Sequence, residues 1–156
     1  MEQMTYGERL QFNGKVGKVE HLQKVLRGEV SATESYDRAK KMFSKNRIAA
    51  DKLEQIRYEH EEAVRFWQKH ILDEGVDIDT SSGAWGAVVE GFVATAKLFG
   101  EDLTTSALLT GEEYGLKEYK DILEDENIDR DTKSFVSEVL IPRQKRHINI
   151  LKTIKH

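Results

Sequence analysis

The chain has 156 residues, of which 38% are hydrophobic and 33% charged, with a single proline. That length supports one domain with a real core, and that balance favours a helical globular protein over a sheet protein or a disordered chain. A net charge of -4, with no Lys/Arg block clear of interleaved acids, argues against nucleic-acid binding, and the lack of cysteine excludes disulfides, iron–sulfur clusters, thiolate zinc sites and a cysteine nucleophile.

The opening stretch MEQMTYGERL is polar and has no apolar signal core. No apolar run approaches the ~18 residues that a membrane span needs. A soluble, cytoplasmic protein is expected. Residues 1–16 lack clear periodicity and carry a turn signal at Asn13-Gly14, which predicts an N-terminal arm ahead of a main domain over 17–156.

From Val19 a helical stripe begins: Val19, Leu22, Leu26, Glu29, Thr33, Tyr36, Lys40 and Phe43 share one face in steps of three and four. The stretch SKNR is a short turn, with Asn46 as N-cap of a second helix. That helix carries the stripe Leu53, Arg57, His60, Val64, Trp67 and Ile71. Two long amphipathic helices joined by so short a loop are antiparallel neighbours. After the irregular stretch 73–83, with Ser81 or Ser82 as a cap, AWGAVVEGFVATAKLF reads as a short apolar helix closed by Gly100. A third long helix follows over about 102–124 with stripe Leu109, Glu112, Leu116, Tyr119 and Leu123. The last reads Leu140, Gln144, His147, Leu151 and Ile154, and Pro142 predicts a kink or break in it. The expected architecture is an all-α, antiparallel four-helix bundle with one long crossover carrying a short extra helix.

Each long helix carries polar residues inside its apolar stripe. The first and third present Glu29 and Glu112; the second and fourth present the i, i+3 pairs Arg57/His60 and Gln144/His147. The frame Leu-x-Gly-Glu-x6-Tyr occurs twice, at Leu26–Tyr36 and Leu109–Tyr119, 83 residues apart. Unpaired carboxylates and imidazoles are costly to bury. The repeat therefore predicts pseudo-symmetric halves whose glutamates meet at the bundle centre.

The segments LRGEVSATESY, SSGAWGAVVEGFVATAKLFGED and LLTGEEYGLKEYKDIL, with the late His147, resemble a ferritin-like bacterial family known mainly as a domain of unknown function. The resemblance spans residues 19–151. It implies a rubrerythrin-type four-helix bundle and, through it, metal binding. Ferritin-like di-iron proteins take one Glu from each of two helices and Glu-x-x-His from each of the others. This chain has Arg57 and Gln144 where those two further glutamates belong.

Glu29, His60, Glu112 and His147 then form a reduced site suited to one iron, zinc or manganese ion, with Tyr36, Arg57, Tyr119 and Gln144 around it. Such a protein would be a metal-dependent oxidoreductase if it is an enzyme, with iron or peroxide as its chemistry. The same residues fit a non-enzymatic helical interaction protein, in which Arg57 takes the place of the metal and forks onto the glutamates. Glu34, Glu59, Glu62, Glu113 and Glu138 join the site only if a helix is rotated. No organic cofactor is indicated. The apolar faces of the 84–99 helix predict a homo-oligomer.

Overall fold

A computed structural model describes residues 3–78 and 83–154, with side chains for 3–78 and 100–154. Among these residues there are only helices, turns and bends. α1 (Tyr6–Ala39) starts on Thr5, whose side chain and Glu8 form a reciprocal capping box. It runs into a tight 3₁₀ turn (Lys40–Phe43). α2 (Arg47–Asp73) then begins on Asn46, whose side chain accepts from the Ala49 amide as expected. α3 (Gly83–Glu124) is interrupted at Gly100, where φ is 82° and ψ -163°. Only glycine adopts that backbone cheaply, so Gly100 does end one helical run and begin the next. The expected Ser81 and Ser82 caps, and the oligomer-forming face of 84–99, lie outside the described side chains.

Two expectations are corrected. The helix runs unbroken through Asn13-Gly14, so that dipeptide makes no turn. Residues 6–13 are nonetheless exposed, and burial begins only at Val19. Pro142 does not break the last helix. α4 (Arg130–Phe135) and α5 (Ile141–Ile154) are joined by a π-helical stretch (Val136–Leu140). There the Ile141 amide donates to the Val136 carbonyl, one residue further back than in an α-helix. That wider turn accommodates a ring that lacks an N–H and crowds the preceding turn.

α1 packs along α2 and α3, and α3 packs on α5. The buried faces form two apolar clusters. One gathers Leu22, Leu26, Trp67, Ile71, Ile122 and Leu140; the other gathers Ala39, Phe43, Leu53, Ile56, Leu108 and Leu151. Buried Glu29, His60, Glu112, Gln144 and His147 come from the same inward faces. Burial of the flanking Leu, Ile and Trp side chains, at roughly 1.5–3 kcal/mol each, supplies the driving force that encloses these costly polar groups.

Gly115 marks where two helices approach closely. A Cβ there would lie 2.5 Å from Nε2 of Gln144, which donates to the Glu112 carbonyl at 3.0 Å. At Gly28 and Gly111 an added Cβ meets nothing. Alanine relieves about 0.5–1 kcal/mol of backbone entropy at any mid-helix glycine. We therefore expect Gly28→Ala and Gly111→Ala to stabilise by that amount in urea unfolding. Gly115→Ala displaces the buried amide and forfeits its hydrogen bond, so it should fall about 1–2 kcal/mol below Gly111→Ala. Equal stabilities for the two would contradict the packing.

Candidate metal centre

The repeat on α1 and α3 brings its own residues together. Tyr36 donates to Glu112 Oε1 at 2.6 Å, and Tyr119 donates to Glu29 Oε1. The tyrosine of each repeat thus reaches the glutamate of the other, which requires the two segments to run antiparallel. Burial and the neighbouring carboxylates push both phenols well above their ordinary range, so both remain donors.

His60 from α2 lies between the glutamates. Its Nδ1 is 2.5 Å from Glu29 Oε2 and its Nε2 is 2.7 Å from Glu112 Oε1. His147 from α5 reaches Glu112 Oε2 through Nδ1 at 3.4 Å and Glu59 Oε2 through Nε2 at 2.7 Å. Glu59 also takes Arg146 at 2.7 Å. The result is a line of alternating carboxylates and imidazoles, Glu29–His60–Glu112–His147–Glu59, crossing four helices from the core to a partly exposed end.

Burial alone would drive His60 toward its neutral form, but the charges of Glu112 and Glu29 outweigh it and hold the ring well above its usual range. Burial likewise opposes ionisation of Glu112, yet His60 and His147 keep it well below the usual carboxylate range. Glu59 is lowered too, with burial overcome by hydrogen bonds from His147 and Arg146. The centre is therefore an ion-paired network with His60 as its internal cation.

Arg57 takes no part in it. Its guanidinium pairs with Glu54 at 2.8 Å and Glu61 at 2.9 Å, both on its own helix, and the bonds that Glu54 takes from Arg57 and Lys40 hold it down to about 2. The Arg57-centred network expected from the sequence is thereby corrected: Ile56, not Arg57, occupies the inward position one turn before His60. Gln144 does face inward, but it bonds a backbone carbonyl rather than a carboxylate. His60, Glu112 and His147 each offer one donor atom within 4.8 Å of the others. Glu29 lies on the opposite side of the His60 ring. Of the remaining carboxylates considered, Glu59 joins the line, a place that a single amphipathic stripe does not reveal because it stands beside His60 in sequence.

An all-helical protein with a buried carboxylate–imidazole centre is thus defined. The chain belongs to the family described as a domain of unknown function (DUF2383), whose model matches residues 18–125. That segment holds Glu29, Tyr36, Glu59, His60, Glu112 and Tyr119, whereas His147 follows it. No curated protein and no solved structure matches the chain.

The ion pairing makes stability depend on pH. Unfolded His60 titrates near 6.5, and its folded value lies well above this. Stability from His60 is thus fully present below about pH 6.5 and is lost as pH rises through the folded value. Glu112 acts in the opposite sense: its contribution is present above its unfolded value of 4.5 and is lost as pH falls through its depressed folded value. Urea unfolding in chelator should show stability declining as pH rises above about 6.5. The decline should flatten in His60→Gln. A wild-type curve that rises over this range would contradict the assignment of charge.

Proposed function

We propose that the chain is a ferritin-like metal-binding protein whose centre takes one divalent ion through His60 Nε2, His147 Nδ1 and a Glu112 carboxylate oxygen. The observation that carries this is how the two imidazole rings are oriented. Each imidazole turns one nitrogen toward Glu112 and places the other on a carboxylate, Glu29 for His60 and Glu59 for His147. Metal-bound histidines are commonly held in this way, the outer carboxylate fixing the ring and raising its basicity.

The donor set fits an ion. Bonds of about 2.0–2.1 Å in tetrahedral geometry separate neighbouring donors by roughly 3.3 Å. The His147 Nδ1–Glu112 Oε2 spacing of 3.4 Å is close to this, the His60 Nε2–Glu112 Oε1 contact of 2.7 Å opens as the ion replaces the shared proton, and the three donors, within 4.8 Å of one another, draw together on it. Two nitrogens and a carboxylate suit zinc, iron or manganese. Three protein ligands leave a position where a bound ion supplies Lewis-acid or redox chemistry to a small molecule, with iron and peroxide the pairing that the ferritin-like resemblance suggests. The two further glutamates of a di-iron centre have no counterpart at positions 57 and 144, since Arg57 turns away and Gln144 is an amide.

A second reading is favoured by the short His60–Glu112 contact itself. With a proton on His60 the network is complete, which suits a helical interaction protein that fixes its register through buried charges.

Melting of wild type, Glu112→Gln and His147→Ala, in chelator and with zinc, manganese or ferrous iron, distinguishes the two. At a hundredfold excess over the dissociation constant, binding should stabilise wild type by roughly 2.7 kcal/mol. Neither variant should respond. A wild-type melt indifferent to every metal would overturn the metal assignment and leave the proton-filled network.

A further inference from the structure

A cleft of about 600 Å³ opens between α1 and α3 and reaches down to Glu29, His60 and Glu112. Its walls are the two repeats. Every lining residue of α1 has its counterpart 83 positions later among those of α3: Gly28 with Gly111, Val25 with Leu108, Ala32 with Gly115. The walls are mainly apolar and small, and the absent side chains at Gly28 and Gly111 leave open space. The volume falls within the range of small-molecule sites, roughly 300–1,000 Å³.

The pairing breaks chemically at Lys24/Ala107, Arg27/Thr110, Ser31/Tyr114 and Ser35/Glu118, and only the last gives one wall a buried carboxylate that the other lacks. Ser35 on α1 is matched by Glu118 on α3. Glu118 is 94% buried, since its relative exposure is 6%. Lys24 reaches its Oε1 at 3.3 Å, while Oε2 has no hydrogen-bond partner at all. Buried carboxylate oxygens are costly when unsatisfied, so an orphan acceptor on a residue that lines a cleft calls for a donor, and because this oxygen has almost no exposed surface the Glu118 side chain turns toward the cleft to take one. The tyrosine hydroxyls at the floor are already committed to Glu29 and Glu112 and cannot supply one.

We propose that this cleft binds a small, mainly apolar molecule carrying one hydrogen-bond donor, a hydroxyl or an amine, that bonds Glu118 Oε2. Small apolar walls accept the body of the ligand. Glu118 breaks the pseudo-symmetry of the repeats and so sets which way round the ligand lies. A carboxylate-bearing ligand is rejected, because it has no proton to offer and meets Glu118 charge to charge. Binding itself does not depend on an ion. Where an ion occupies the neighbouring centre, the ligand lies beside it as a candidate substrate, and that further step alone rests on the metal-binding function proposed above.

The test uses the full chain in chelator and one apolar body with different heads: 1-naphthalenemethanol, 1-naphthalenemethylamine, 1-naphthoate and 1-methylnaphthalene, titrated calorimetrically. The alcohol or the amine should bind one per chain and at least about tenfold tighter than the naphthoate, the scale of one charged-group hydrogen bond. Whichever of the two is tighter identifies the head. Glu118→Leu should erase the preference over 1-methylnaphthalene. Gly111→Leu should abolish binding of all four while melting no lower than wild type, because leucine is the better helix former and its Cβ meets nothing. The proposal is overturned if no probe binds saturably, if the naphthoate binds as well as the others, or if Gly111→Leu binds normally. A dimer that Gly111→Leu dissociates, with no probe uptake by wild type, would also overturn it and give the cleft to a second copy.

Discussion

One imidazole holds three helices together. His60 bridges Glu29 of α1 and Glu112 of α3, with every group in the bridge at least nine-tenths buried. Two carboxylates alone in that layer would repel and would each carry the full cost of leaving water. With a cation between them the layer carries one net negative charge instead of two, both carboxylates are paired, and the apolar clusters can pack around it. The tyrosines, His147 and Gln144 then satisfy the oxygens and the backbone carbonyl that remain. Removing the bridge leaves buried charge uncompensated, so both register and stability depend on it.

The same bridge adjoins a His60, Glu112 and His147 cluster that could hold a metal ion, and the proposed metal function requires that ion to replace the proton. The donors that face Glu112 are the nitrogens left after Glu29 and Glu59 have taken the others. The cleft between the repeats leads to this layer from one side, while Glu59 and Arg146 mark its wetter end on the other. A buried carboxylate–imidazole layer with an apolar cleft beside it is the arrangement on which the small-molecule proposal rests.

Much of this was legible in the sequence because it rests on spacing. The duplicated Glu-x6-Tyr frame carries the crossed pairing of α1 with α3, and the steps of three and four placed Glu29, His60, Glu112 and His147 inward. What failed was phase. Ile56 and Arg57 stand four and three residues before His60, and either satisfies a helical stripe; burial chose the apolar one and left the guanidinium to Glu54 and Glu61 on the surface. Leu108 and Leu109 posed the same ambiguity, and Leu108 is the one in the core. Glu59 was expected to join only if a helix were rotated; it joins from the shoulder of the helix beside His60, where the approach of α5 brings His147 and Arg146 to it. Pro142 announced a disturbance, but the form it took, a π-helical stretch, depends on how the last helix packs on α3.

The charge on His60 is the claim from which the rest follows. Nitrogen-15 NMR of the His60 ring, in metal-free protein near neutral pH, reads it directly. The account predicts an imidazolium, with both ring nitrogens protonated and remaining so as the pH is raised past the 6.5 at which an ordinary histidine titrates. A neutral ring at pH 7, with one bare nitrogen, would contradict the bridge.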